Sequence, residues 1–122
     1  LRRLLLLQSQ GRTVSVLKLE RHHEAGFIEL CRQLGIRQEK LKMASKSSWP
    51  DRTLLYRGCA MFLELKRKGE KPEPLQQYTL DQLTKEGFDA RWSDDLELTT
   101  LIVIGWKQHV DRNADSLRQL RS

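Results

Sequence analysis

The chain has 122 residues, of which 22 are lysine or arginine and 16 are aspartate or glutamate, so its net charge is +6. This length allows one domain with a single core, and a hydrophobic share of 39% with a charged share of 31% favours a globular protein over disorder. No apolar run approaches the roughly 20 residues of a membrane span, so we expect no membrane partner, whereas the positive charge fits a polyanion such as nucleic acid.

Residues 1–15 read as a basic N-terminal leader. Its apolar stretch, Leu4 to Leu7, is too short for a signal peptide, so we expect a cytoplasmic protein. From about residue 16 to Leu34 the pattern turns helical, and Gly35 follows as a C-cap. Residues 36–43 predict an edge strand. One face of the predicted helix carries apolar side chains at i, i+3, i+4 and i+7, namely Phe27, Leu30, Cys31 and Leu34.

Two cysteines, Cys31 and Cys59, are too few for a disulfide framework, and both are predicted to be buried thiols. The sequence has no CxxC pair and no paired Cys/His spacing, which argues against a structural zinc site.

A hairpin is predicted in the middle of the chain. Pro50 limits its neighbour to extended geometry and opens a strand over residues 51–56, and Arg57-Gly58 marks a turn. The run CAMFLEL, residues 59–65, is apolar as in a strand buried on both faces. Its one acid, Glu64, is costly there unless something pairs with it.

The remaining chain predicts helix, strand, helix. Pro74 begins a helix that ends near Gly87, and residues 88–92 form a strand placed parallel to its neighbour by a right-handed crossover. Ser93 is the predicted N-cap of a last helix, and the polar tail beyond Val110 reads as a frayed helix or a mobile end. The whole order predicts an α/β fold with the hairpin at the centre of its sheet.

Two acids and a lysine fall at the ends of the two hairpin strands. Asp51 and Glu64 offer the hard carboxylate oxygens that magnesium prefers. Lys66 lies one strand period beyond Glu64, so it points to the same face, where an ammonium can orient water or stabilise charge on a phosphate. Nearby basic residues favour phosphate contacts, namely Arg52, Arg67, Lys68 and Lys71.

These motifs resemble the PD-(D/E)XK nuclease superfamily and, within it, the virus-type replication-repair nuclease (VRR-NUC) branch. The resemblance implies a restriction-endonuclease-like core, a central mixed β-sheet flanked by helices, over residues 16–112, with 113–122 as a tail. Ser48-Trp49 and Glu73 depart from the family pattern, and an indole at Trp49 could stack on a base. The matching pieces, in chain order, are Glu20, Gly35, Pro50-Asp51-Arg52, Glu64-Leu65-Lys66, Gly69, Pro74-Leu75-Gln76 and Gly87-Phe88-Asp89.

The resemblance also implies roles. Asp51 and Glu64 would be metal ligands with the carbonyl of Leu65, and Lys66 would position the attacking water. Gln76 would support that water or Lys66, although its own position predicts only a solvated first-turn residue. Glu20 would be an outer ligand from the first helix.

Other readings of single residues stay open. Glu24, one helical turn after Glu20, is the alternative carboxylate. His22 and His23 face different directions and have no third ligand at a suitable spacing, so they do not indicate zinc. His109 and Trp106 lie on the apolar stripe of the last helix, where we expect a packed histidine and a core or interface tryptophan.

We therefore expect a Mg²⁺- or Mn²⁺-dependent DNA endonuclease. The resemblance to phage-encoded stand-alone domains implies a homodimer acting on branched DNA, such as a Holliday junction, inside a bacterial host. Two alternatives remain: a non-catalytic DNA-binding module, and the nuclease subunit of a restriction or toxin system.

Overall fold

A computed structural model describes residues 23–41 and 48–121. Its four strands form one sheet in the order β1-β2-β3-β4, with antiparallel pairing between the first three and parallel pairing between β3 and β4. This confirms the predicted mixed α/β sheet with the hairpin at its centre. The elements are α1 (His23–Leu34), β1 (Arg37–Lys40), β2 (Arg52–Tyr56), β3 (Cys59–Leu65), α2 (Pro74–Lys85), β4 (Asp89–Ser93) and α3 (Leu96–Arg121).

The main core lies between one face of the sheet and helices α1 and α3. Side chains alternate along β3, so Met61 and Leu63 enter this core while Phe62 and Glu64 point to the opposite face. That opposite face meets α2, which packs on β4. The buried core residues are Phe27, Leu30, Cys31, Leu34, Ile36, Leu54, Met61, Leu63, Val103, Ile104, Trp106 and Val110.

The start of α3 differs from the prediction. Ser93 ends β4, and the helix is capped instead by Asp95, whose Oδ1 accepts a hydrogen bond from the N–H of Leu98 at 3.0 Å. The hydroxyl of Ser93 bonds the main chain of Asp95 and so shapes the turn before the cap. Ser93 and Asp95 are both favourable N-cap residues, but Ser93 belongs to β4, so the helix begins after Asp95.

The end of α3 matches one of the two readings of the tail, because the helix continues through the polar stretch after Val110 to Arg121. Asp111 holds this part of the helix to the hairpin turn. Its carboxylate accepts hydrogen bonds from the Tyr56 hydroxyl at 2.7 Å, from Arg57 at 2.9 Å and from the Lys107 ammonium at 2.9 Å. Such tertiary contacts were not visible in the polar sequence.

Two further side chains are more exposed than predicted. Cys59 is exposed because it begins β3 beside the turn, while Cys31 is buried as expected. His109 is exposed and bonds Asn113 one turn later instead of packing in the core. Within residues 23–41 and 48–121, no helix is both long and apolar enough to cross a bilayer.

Candidate active site

The antiparallel register of the hairpin brings Asp51 and Glu64 together. Arg52 pairs with Leu63, so the residue before β2 meets the residue near the end of β3. The N–H of Asp51 donates to Oε1 of Glu64 at 3.0 Å, and the N–H of Leu65 lies 3.4 Å from Oδ2 of Asp51. The two acids are therefore on the same side of the sheet: the Glu64 carboxylate is bonded to the main chain of Asp51, and the Asp51 carboxylate to the main chain of Leu65.

Glu64 is a buried carboxylate, with 4% of its surface exposed. Burial is the largest cause that raises its pKa, and the negative charge of Asp51 adds to it, while the Asp51 N–H and Lys66 pull the pKa down. The net direction is upward, so the Asp51 N–H and the Lys66 ammonium do not fully compensate burial and the charge of Asp51. A cation bound between them would remove the repulsion.

Lys66 and Gln76 both approach the second oxygen of Glu64. The Lys66 ammonium and the Gln76 side-chain NH₂ each lie 3.4 Å from Oε2. The amide of Gln76 is oriented by Glu73, whose main-chain N–H donates to the Gln76 Oε1 at 2.8 Å, as in a capping box. Since a main-chain N–H can only donate, the oxygen must face Glu73 and the NH₂ must face Glu64.

The main chain of Lys66 is held on both sides. Its N–H donates to the carbonyl of Ser93 at 2.8 Å, which extends the β3–β4 pairing by one residue. Its carbonyl accepts from Nδ1 of His23 at 3.0 Å, and Nε2 of His23 lies 2.7 Å from Oγ1 of Thr99. Sequence reasoning weighed His23 only as a zinc ligand and missed this contact, which no local pattern signals.

The donor set suits a hard divalent cation. In the part of the chain that the structure describes, no group of three or more His, Cys, Asp or Glu side chains could hold a metal. Asp51 and Glu64 supply two carboxylates, and magnesium is commonly bound by one or two carboxylates plus waters and substrate phosphates. The residues present therefore fit magnesium or manganese better than zinc.

Comparison with known proteins identifies the fold. No protein-family model and no curated protein sequence matches the chain. A solved structure named "VRR_NUC domain" is similar over 70% of this chain and 90% of its own, with a TM-score of 0.55 at 23% identity. The chain has the VRR_NUC domain fold. A second structure, named "VRR_NUC domain protein", is 18% identical over 88% of this chain and 82% of its own, with a TM-score of 0.42.

Within this VRR_NUC fold, Arg52 is buried, so the prediction that it contacts DNA is wrong. It is 4% exposed, lies over the ring of Phe27, and donates to Gln38 at 2.8 Å and to the carboxylate of Glu24. Strand alternation turns it toward α1, away from the face that carries Glu64. Its guanidinium is thus a core group that joins α1 to the sheet.

The described residues give no support for an outer metal ligand from the first helix, the role expected for Glu20 or Glu24. Glu20 and His22 lie outside them, and Glu24 is paired with Arg52 and, at 3.6 Å, with Lys40. These two ion pairs give the Glu24 carboxylate a structural role.

The loop after Lys66 is exposed and basic. Arg67, Lys68 and Lys71 are all exposed, and the Lys68 ammonium lies 3.4 Å from Asp95. On the other side of the site, Trp49 is half-buried, with its ring 5.5 Å from that of Phe62 and edge-on to it. Stacking of Trp49 on a base stays a prediction.

Proposed function

We propose that this chain is a divalent-metal-dependent endonuclease that hydrolyses DNA. The observation that carries the proposal is the meeting of Asp51, Glu64, Lys66 and Gln76 at one end of the central hairpin of a VRR_NUC fold. A buried glutamate with a raised pKa beside a second acid is a common mark of a functional site.

The metal would be Mg²⁺ or Mn²⁺, held by the carboxylates of Asp51 and Glu64 together with the carbonyl of Leu65. When bound, it would act as a Lewis acid on the scissile phosphate and make water a better nucleophile. The main-chain N–H groups of Asp51 and Leu65 hold the Glu64 and Asp51 carboxylates, respectively, in place before substrate arrives.

Lys66 would orient the attacking water and balance charge on the phosphate oxygens. Its side chain is 14% exposed and thus partly shielded from bulk water, and the contact of its ammonium with Glu64 keeps it near the expected metal ligands. Gln76 would fix the same Glu64 oxygen from the first turn of α2.

DNA would be held through its backbone by the exposed Arg67–Lys71 loop that follows Lys66. Three cations on this loop lie next to the acids in the chain, so phosphates bound there would enter the site. Arg52 is buried and is not part of this surface.

The finer proposal is a homodimer that cuts branched DNA. Leu98 and Leu101 are 42% and 45% exposed on one face of α3, and Leu101 borders a cavity of about 520 Å³ between α3 and β4. An apolar helix face beside an edge strand suits a second copy, and a two-fold pair of sites suits two strands of a junction.

Cleavage of linear duplex, flap and four-way junction DNA in Mg²⁺, Mn²⁺ or EDTA tests the function. We expect metal-dependent cutting, strongest on a branched substrate, and its loss in Lys66→Ala but not in Lys85→Ala, which changes an exposed lysine at the far end of α2. Cutting of one linear sequence only would favour the restriction or toxin reading, and metal-independent binding with no cutting would favour a binding module. A monomer by light scattering that still cuts junctions symmetrically would contradict the homodimer.

A further inference from the structure

The peptide unit of Lys66 is anchored more firmly than its place at a strand end requires. β3 ends at Leu65, and the chain then enters the exposed loop 67–70. Ordinary strand pairing explains the bond from the Lys66 N–H to Ser93. The bond from His23 to the Lys66 carbonyl is different, because it comes from a helix 43 residues earlier in the chain.

The chemistry of these contacts defines how the His23 ring is used. A carbonyl can only accept, so Nδ1 must carry a proton. In the neutral ring Nε2 accepts from the Thr99 hydroxyl, and in the charged ring it donates to the same oxygen, so both bonds survive in either state. With both nitrogens engaged, the ring is not free to bind a metal.

The contact joins the two faces of the sheet. His23 on α1 and the fully buried Thr99 on α3 belong to the helical layer that covers the main core. The side chain of Lys66 reaches the other way, to Glu64 on the α2 face. The bond to the Lys66 carbonyl fixes the peptide plane after the Lys66 Cα, and the bond from the Lys66 N–H to Ser93 fixes the plane before it, so together they hold the Cα from which the side chain extends.

We propose that His23 is a positioning residue for Lys66: with Thr99 behind it, the imidazole holds the Lys66 peptide so that its ammonium stays aimed at the acidic pair. This inference rests on the proposed nuclease function for its kinetic consequence. Its structural part, the immobilised Lys66 peptide, does not.

His23→Ala and His23→Asn form the matched pair that tests this. Alanine removes the donor, whereas the asparagine amide NH₂ can reach the position of Nδ1 but not Thr99. His109→Ala serves as the control, because it removes an exposed histidine on a different helix, α3. Amide hydrogen exchange reports the Lys66 N–H directly, with core strand amides such as Leu54 and Met61 reporting global stability.

We expect His23→Ala to lower the exchange protection of Lys66 while leaving that of Leu54 and Met61 unchanged. Single-turnover DNA cleavage should slow by about 10- to 100-fold with DNA affinity unchanged. His23→Asn should recover most of both effects, and His109→Ala should show neither. If His23→Ala does not fold, His23→Asn and Thr99→Val carry the exchange test.

Two results would overturn the proposal. One is unchanged Lys66 exchange in His23→Ala; the other is a His23→Asn variant as defective as His23→Ala, which would make the ring only a tie between α1 and α3. If the wild-type protein cuts no DNA, the nuclease proposal fails, while the exchange result still decides whether His23 fixes Lys66.

Discussion

The main-chain N–H of Asp51 donates a hydrogen bond to the carboxylate of Glu64, 3.0 Å away, across 13 residues of sequence. The β2–β3 register sets this distance, since one residue of slip would turn Glu64 into the main core. The contact orients one Glu64 oxygen, and Lys66 and Gln76 approach the other. The hairpin thus arranges the candidate site without help from a ligand.

Metal binding should stabilise the protein through these acids. At ten times the dissociation constant, Mg²⁺ or Mn²⁺ should add about 1.4 kcal/mol to the free energy of unfolding, seen as a higher Tm. The gain should vanish in Asp51→Asn and persist in Asp81→Asn, a surface acid on α2. An equal gain in wild type and Asp51→Asn would place the metal elsewhere.

The pH dependence of that stabilisation follows from Glu64. Its folded pKa lies above the ordinary 4.5, so without metal its protonated form favours the folded state, and this contribution is lost as the pH rises through the folded pKa. Metal needs the ionised form. The metal-induced rise in Tm should therefore decline, as the pH falls, at a higher pH than for an ordinary glutamate. Calorimetric scans with and without Mg²⁺ measure it.

Gln76 offers a comparison between adjacent glutamines. Gln76→Ala removes an NH₂ from Glu64 and should slow cleavage by about 10- to 100-fold. The side chain of Gln77 donates to Asp81 on the helix surface, so Gln77→Ala should cleave like wild type. Single-turnover rates at saturating DNA decide it, and equal rates for both variants would reduce Gln76 to a helix-capping residue.

The sequence predicted the strands well because their signals are local. The run from Cys59 to Leu65 gave β3 to the residue, and the alternation of side chains placed Glu64 and Lys66 on one side. The acidic pair then followed from hairpin pairing. Gln76 looked like a solvated helix residue, and only the family resemblance predicted its place beside Glu64.

What the sequence missed depends on contacts between distant residues. Arg52 follows Asp51 in the chain, but strand alternation turns its side chain to the core. There its guanidinium donates hydrogen bonds to Glu24 and Gln38. The role of His23 depends on where β3 ends relative to α1. No nearest-neighbour pattern contains either fact.

The burial of Arg52 and the exposure of Arg67 predict different effects of their removal, on stability and on DNA binding respectively. Arg52→Ala should lower the free energy of unfolding by about 2–4 kcal/mol, since it empties a buried site and leaves Gln38 without its partner. Arg67→Ala should leave stability unchanged and reduce the salt slope of DNA affinity by about 1. Urea unfolding and binding at several salt concentrations measure the two. Unchanged stability in Arg52→Ala would contradict its burial.

The Asp111 cluster should make the hairpin–α3 contact sensitive to acid. Burial opposes ionisation of Asp111, but hydrogen bonds from Lys107, Tyr56 and Arg57 outweigh it and lower the pKa to about 2. A depressed pKa stabilises the fold above the unfolded value near 3.8, and the contribution is lost as the pH falls toward 2.

Asp111→Asn should accordingly cost about 1–2 kcal/mol at pH 7, a figure reduced for solvent screening, and almost nothing near pH 2. Asp115→Asn, at an exposed position on the same helix, is the control. Denaturant unfolding from pH 7 to 2 measures the difference. A penalty that stays constant over this range would show that the charge of Asp111 is not what stabilises the contact.

Single-turnover DNA cleavage by Asp51→Asn in Mg²⁺ tests the central claim most directly, with circular dichroism and DNA affinity measured on the same samples. We predict that wild type cleaves and is stopped by EDTA, and that the variant is at least about 100-fold slower while its fold and affinity are kept. Wild-type cleavage by Asp51→Asn would contradict the account, because the acids would then not be the site of the reaction.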